Sequence, residues 1–108
     1  MVAYLFLALA IVAEVAGTTC MKFSEGFTKW QFGVGMAVCY SVSLYSVTIT
    51  LKYFEIGKTY AIWAGLGTAL IAILGFVFFK ETVTWIKIAS ILLIILGVVG
   101  LNLTSSSH

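Results

Sequence analysis

Four long apolar runs separated by short polar breaks account for the whole chain. Met1 to Met21, Trp30 to Leu51, Thr59 to Phe79 and Ile88 to Leu103 meet or approach the roughly 20 helical residues that cross a bilayer core about 30 Å thick. The last run is the shortest, and Trp85 and Ile86 extend it while Lys87 reaches back to the interface. Apart from Glu14, every charge falls in one of three clusters between the runs: Lys22, Glu25 and Lys29; Lys52, Glu55 and Lys58; Lys80, Glu81 and Lys87. The pattern predicts an all-α integral membrane protein. It forms one transmembrane domain over residues 1–108, with helices at about 2–21, 31–51, 58–79 and 85–103.

Composition narrows the function classes. With 62% hydrophobic residues, 9% charged residues and no proline, the chain lies far from a soluble domain. The four spans leave no room for a soluble catalytic domain, so an enzyme is not expected. The net charge of +2 comes from turn lysines and forms no basic face, which argues against nucleic-acid binding. Cys20 and Cys39 lie inside predicted spans and read as small buried hydrophobes, so neither a disulfide nor a metal site is expected, and no cofactor is implied. A cleaved signal peptide is the competing reading of the first run. No Lys or Arg precedes that run, however, and a central glutamate is wrong for a signal core.

Orientation is weakly marked. The first and third connections hold four lysines, the second holds two, and neither terminus holds a Lys or Arg. This leans towards both termini outside, by two lysines only. So small a bias suits either insertion in both orientations or a partner chain of opposite bias. Four helices with one buried carboxylate are too few to enclose a pathway with two gates, so an oligomer is expected.

Glu14 is the first candidate for chemistry. A carboxylate at bilayer depth costs about 2.5 to 3.5 kcal/mol on insertion scales, and it persists where it faces protein, water or a bound cation. At helical spacing its face carries Leu7, Ala10, Ile11, Gly17, Thr18 and Met21. Ala10, Gly17 and Thr18 leave space for a ligand or admit a neighbouring helix. In the third run Tyr60 and Trp63 share a face, followed by Ala64 and Gly67, and together they could wall a pocket whose rings attract cations. Tyr40, deep in the second run, needs a polar partner, and Ser43 one turn on is the local candidate. Gly65 and Gly67, two residues apart, soften the third helix and are expected to be its hinge, close packing being the alternative. Ser90 and Gly97 lie one heptad apart and suit a helix contact. Thr48, Thr50 and Thr68, and on spacing alone Thr18 too, are expected to bond back to their own backbone.

The stretch AEVAGTTCMKFSEGFTKW (13–30), with YAIWAGLG (60–67) and the closing GVVGLNL (97–103), closely resembles the small multidrug resistance family of four-helix transporters. The resemblance covers nearly the whole chain. It implies an antiparallel, dual-topology dimer in the bacterial cytoplasmic (inner) membrane that exchanges protons for cationic substrates, with Glu14 of both subunits as the shared site. It also implies that Ala10, Thr18, Tyr40, Tyr60 and Trp63 line the pocket, and that the fourth helix supplies dimer contact through SILLIILGV (90–98). Ser90 stands where many members have glycine, and Glu55 where many have proline.

The guanidinium-exporting branch resembles this chain less. Its members carry tryptophan three residues after the glutamate, where Gly17 stands, tend to be non-aromatic at the position of Tyr40, and have lysine near that of Asn102. The resemblance therefore implies the branch that exports quaternary ammonium and lipophilic aromatic cations. Drug and proton then compete for one carboxylate pair, and that competition is the coupling. Three other readings remain open: a guanidinium exporter, one half of an obligate heterodimer, and a non-transporting accessory subunit of a larger membrane complex.

Overall fold

The computed structural model describes residues 2–104; Met1 and residues 105–108, the ends of the expected domain, lie outside it. Four helices follow in order: α1 (Val2–Phe23), α2 (Trp30–Thr50), α3 (Ile56–Val77) and α4 (Trp85–Thr104). All four are long and apolar enough to cross a bilayer, and no strand occurs among the described residues. Their bounds fall within three residues of the apolar runs, the largest differences being the earlier starts of α3 and α4.

The α1–α2 hairpin is closed by a built turn. Glu25, Gly26 and Phe27 take left-handed φ of 49°, 72° and 67°. The fully buried Ser24 ties this turn together, its hydroxyl donating to the Met21 carbonyl at 2.7 Å and accepting the Phe27 amide at 3.1 Å. Along the hairpin the contacts rely on small residues. A Cβ on Gly17 would meet the Tyr40 ring at 2.5 Å, and one on Gly35 would lie 3.2 Å from Cys20 Sγ. Ser43, in α2, donates its hydroxyl to the Ala10 carbonyl at 2.7 Å. Close approach of backbones over small residues is how membrane helices gain contact without a hydrophobic drive between them.

The second connection holds a buried lysine. Lys58 is 6% exposed, its ammonium 4.3 Å from the centre of the Phe54 ring and 5.7 Å from that of Tyr4. Aromatic faces attract a cation in this way. Glu55 precedes α3 at φ −60° and ψ 147°. The φ is the one that proline fixes, and Glu55 stands extended just outside the helix.

α3 crosses α1 over a small core of Leu7, Ile11 and Ile62, against which Val15, Trp63, Leu66 and Val98 pack. The backbone of α4 approaches α3 alone among the described helices. Val98 of α4 rests on Gly65, where a Cβ would stand 2.8 Å from its methyl group. Tyr4 donates to Asn102 Oδ1 at 3.2 Å, tying the start of α1 to the end of α4. The result is a slab, 44 × 34 × 17 Å. Its outer surface is rich in exposed Leu, Val and Ile, as lipid contact requires.

Candidate functional site

Glu14 sits halfway along α1, half-buried, where α1, α2 and α3 meet. One turn on, Thr18 donates its hydroxyl to Glu14 Oε1 at 2.8 Å. Thr18 Oγ1 also lies 2.7 Å from the Tyr40 hydroxyl. A threonine has one hydroxyl proton, and here it is given to the carboxylate. Tyr40 is therefore the donor to Thr18, and the chain runs from Tyr40 through Thr18 to Glu14. The other oxygen, Oε2, rests on Gly67, 2.8 Å from where a Cβ would stand.

The carboxylate opens into a cavity of about 340 Å³ between α1 and α3. Tyr60, Trp63, Ala64 and Gly67 form the α3 wall, continued by Thr68 and Ile71, and Thr18 faces them from α1. The volume falls at the small end of ligand sites, roughly 300 to 1,000 Å³. Tyr60 and Trp63 meet edge to face, centroids 6.0 Å apart at 78°. A smaller space of about 180 Å³ lies on the α2 side, bounded by Glu14, Trp63, Tyr40, Ser43 and Leu44. Trp63 belongs to both, and its indole N–H is buried without an acceptor. No lysine pairs with Glu14: the ion pair among the described residues is Lys29 with Glu25, in the first turn. No cluster of metal-ligating side chains occurs among the described residues either.

The structure brings Glu14, Thr18, Tyr60 and Trp63 to one cavity and Tyr40 and Ser43 to the adjoining one. Four expectations need correction. Tyr40's partner is Thr18 rather than Ser43, whose hydroxyl is spent on the Ala10 carbonyl. Thr18 is the exception among the threonines, for it bonds to the Glu14 side chain while Thr48, Thr50 and Thr68 bond back to their own helices. Gly17 borders neither cavity: it is buried under the Tyr40 ring, so its small size serves packing. Ala10 and Ile11 also lie away from Glu14's cavities, Ala10 fully buried at the α2 seam and Ile11 in the core.

α3 runs unbroken through Gly65 and Gly67, and both are seats for neighbouring side chains, Val98 and Glu14. On α4, Ser90 returns its hydroxyl to the Ile86 carbonyl, and Gly97 has open space before it. The cavity also draws on Thr68 and Ile71, which the sequence reading left out. Their signal was present, since Ala64, Thr68 and Ile71 continue the same helical stripe beyond Tyr60.

A half-buried carboxylate thus stands at mid-span, at the foot of an aromatic-walled cavity, in a small multi-pass chain of four helices long and apolar enough to cross a membrane. The sequence profile of the family described as Small Multidrug Resistance protein matches residues 2–94. The chain is 45% identical over 104 residues to the multidrug transporter EmrE of Escherichia coli (strain K12), covering 96% of this chain and 94% of that one. It is 43% identical over 105 residues to the quaternary ammonium compound-resistance protein QacG of Staphylococcus sp. (strain ST94), covering 97% and 98%. It is also 49% identical over 100 residues to an uncharacterized membrane protein, YvaE, of Bacillus subtilis (strain 168), covering 93% and 84%. The chain belongs to the small multidrug resistance protein family.

Proposed function

We propose that this protein is a proton-coupled antiporter of the cytoplasmic (inner) membrane. It exports quaternary ammonium and lipophilic aromatic cations, with Glu14 of two copies as the shared site. The observation that carries this reading is that Glu14 opens into an aromatic-walled cavity with no cationic side chain against it. Its partner is the neutral Thr18 hydroxyl. A carboxylate at that depth is costly while charged and unpaired. Its charge must be neutralised by something mobile, a proton or a cation from outside the chain.

Ring faces suit cations that carry no N–H donors, because attraction to a π face needs charge but no hydrogen bond. Tyr60 and Trp63 supply such faces, and Glu14 is the one carboxylate among the residues that line the cavity. Glu14 is therefore the strong acceptor of the cavity, whereas a guanidinium would want several fixed ones. Proton and cation then exclude one another at the carboxylate, which couples the export of one to the entry of the other. The open side of the α1–α3 cavity, the slab's thickness of 17 Å and the bare face of α4 around Ser90 and Gly97 favour a second copy completing the site.

Binding of tetraphenylphosphonium to the purified protein in detergent, measured across pH for wild type and Glu14→Gln, tests the reading. Binding should weaken as pH falls and vanish in the variant. PH-independent binding that survives Glu14→Gln would refute it, and a Glu14→Gln chain that is still fully functional in cells would favour the accessory-subunit reading.

A further inference from the structure

The α1–α3 seam carries a second carboxylate that the proposed function leaves unused. A cavity of about 170 Å³ lies next to the Glu14 cavity, towards the connection between α3 and α4, and the two share Thr18 and Ile71 in their walls. At its far end lies Glu81. The chain reverses there through Lys80, at φ 54°, and the Glu81 amide donates to the Gly75 carbonyl at 2.9 Å. That reversal lays the Glu81 carboxylate on the bare backbone of Gly75, in a place that any Cβ would occupy.

Glu14 rests on Gly67 in the same manner. Two carboxylates are thus seated on one helix at glycines about 12 Å apart along its axis and less than a quarter turn apart around it, at 1.5 Å and 100° per residue. Two lysines lie near Glu81, and each has a partner other than that carboxylate. Lys22, which lines the same cavity as Glu81, holds its ammonium 5.6 Å from the centre of the Phe79 ring. Lys87 donates to the Thr82 carbonyl at 2.7 Å. Glu81 forms no ion pair among the described residues.

We propose that Glu81 is a second cation-binding point and that the adjoining cavities take elongated dications, one quaternary ammonium at Glu14 and the other at Glu81. The linker between the two charges would lie against Ile71, which borders both cavities, and Ala72, which borders the second. A monocation uses the Glu14 end alone. This inference rests on the proposed function, because it assumes that Glu14 binds a cation.

The test is competition against labelled tetraphenylphosphonium on the full chain, using bis(trimethylammonium) alkanes with hexamethylene, decamethylene and hexadecamethylene bridges, with decyltrimethylammonium as the monocation. The decamethylene compound should bind about fivefold tighter than the monocation, the gain of one partly exposed charge pair. The shorter bridge should show no gain. Glu81→Gln should abolish the preference, and so should Gly75→Ala by dislodging the carboxylate, while tetraphenylphosphonium binding by each variant reports that it is folded. A preference that persists in both variants, or none in a wild type that binds tetraphenylphosphonium, overturns the inference. Failure of wild type to bind tetraphenylphosphonium sinks the proposed function instead.

Discussion

The two seams of α1 are built to opposite ends. Against α2 the helix is sealed along most of its length, the space beside Glu14 aside: Gly17 lies under Tyr40, Gly35 faces Cys20, and Ser43 reaches the Ala10 carbonyl. Against α3 it is held by a core of three residues at one end and gapes into cavities along the rest. The difference teaches where a membrane transporter of this size keeps its rigidity. One seam fixes the carboxylate's hydrogen-bond partners, and the other leaves it open to a cavity.

Forcing the sealed seam apart should have the largest effect. Gly17→Leu drives a side chain into the Tyr40 ring, and overpacking of this kind costs about 1 to 3 kcal/mol. The expected result is a lower unfolding midpoint in detergent together with loss of tetraphenylphosphonium binding; an unchanged midpoint would show that the seam is looser than its contacts imply. Filling the open seam should cost function more than fold. In Gly67→Ala the new Cβ displaces the flexible end of Glu14 and breaks its bond to Thr18, so cation affinity should fall about tenfold, with the unfolding midpoint nearly unmoved.

Tyr40→Phe sharpens the link between the seams, since it removes the donor to Thr18 while keeping the ring that Gly17 packs against. Affinity should drop about fivefold, the worth of one neutral hydrogen bond. No change in affinity would mean that Thr18 holds Glu14 without help from α2.

The smallest effect is expected at the turn that closes the sealed seam. The hydrogen bond from Lys29, and its charge, hold the exposed Glu25 below the ordinary carboxylate value of 4.5. Because its folded value is depressed, its contribution is present above that value and is lost as pH falls through the lower folded value. Unfolding midpoints of wild type and Glu25→Gln should therefore converge at acid pH and differ only slightly at neutral pH, as fits a surface pair. A wide gap at neutral pH would make the turn a keystone of the hairpin.

The open seam was more legible in the sequence than the sealed one. Helix number and the Glu14, Thr18, Tyr60, Trp63 and Gly67 stripe follow from hydropathy and a 3.6-residue period, which are local properties. Which of two nearby hydroxyls Tyr40 chooses depends on how α1 and α2 are rotated about each other, and no local pattern encodes that. Gly17 misled for the same reason, because a small residue beside a carboxylate reads as space until the ring that fills it is seen. Glu81 was read as one charge in a turn cluster. Only the reversal at Lys80 brings it back onto Gly75.

The run of hydroxyls from Tyr40 through Thr18 to Glu14 lies wholly within the first two helices. During synthesis these helices emerge first and can pair as a hairpin before α3 is made. Glu14 then enters the bilayer with a hydrogen-bonded partner already in hand, which offsets part of the cost of about 2.5 to 3.5 kcal/mol that a charged side chain meets at mid-membrane. The arrangement that holds the carboxylate at the edge of its cavity thus also eases the biogenesis of the chain that carries it.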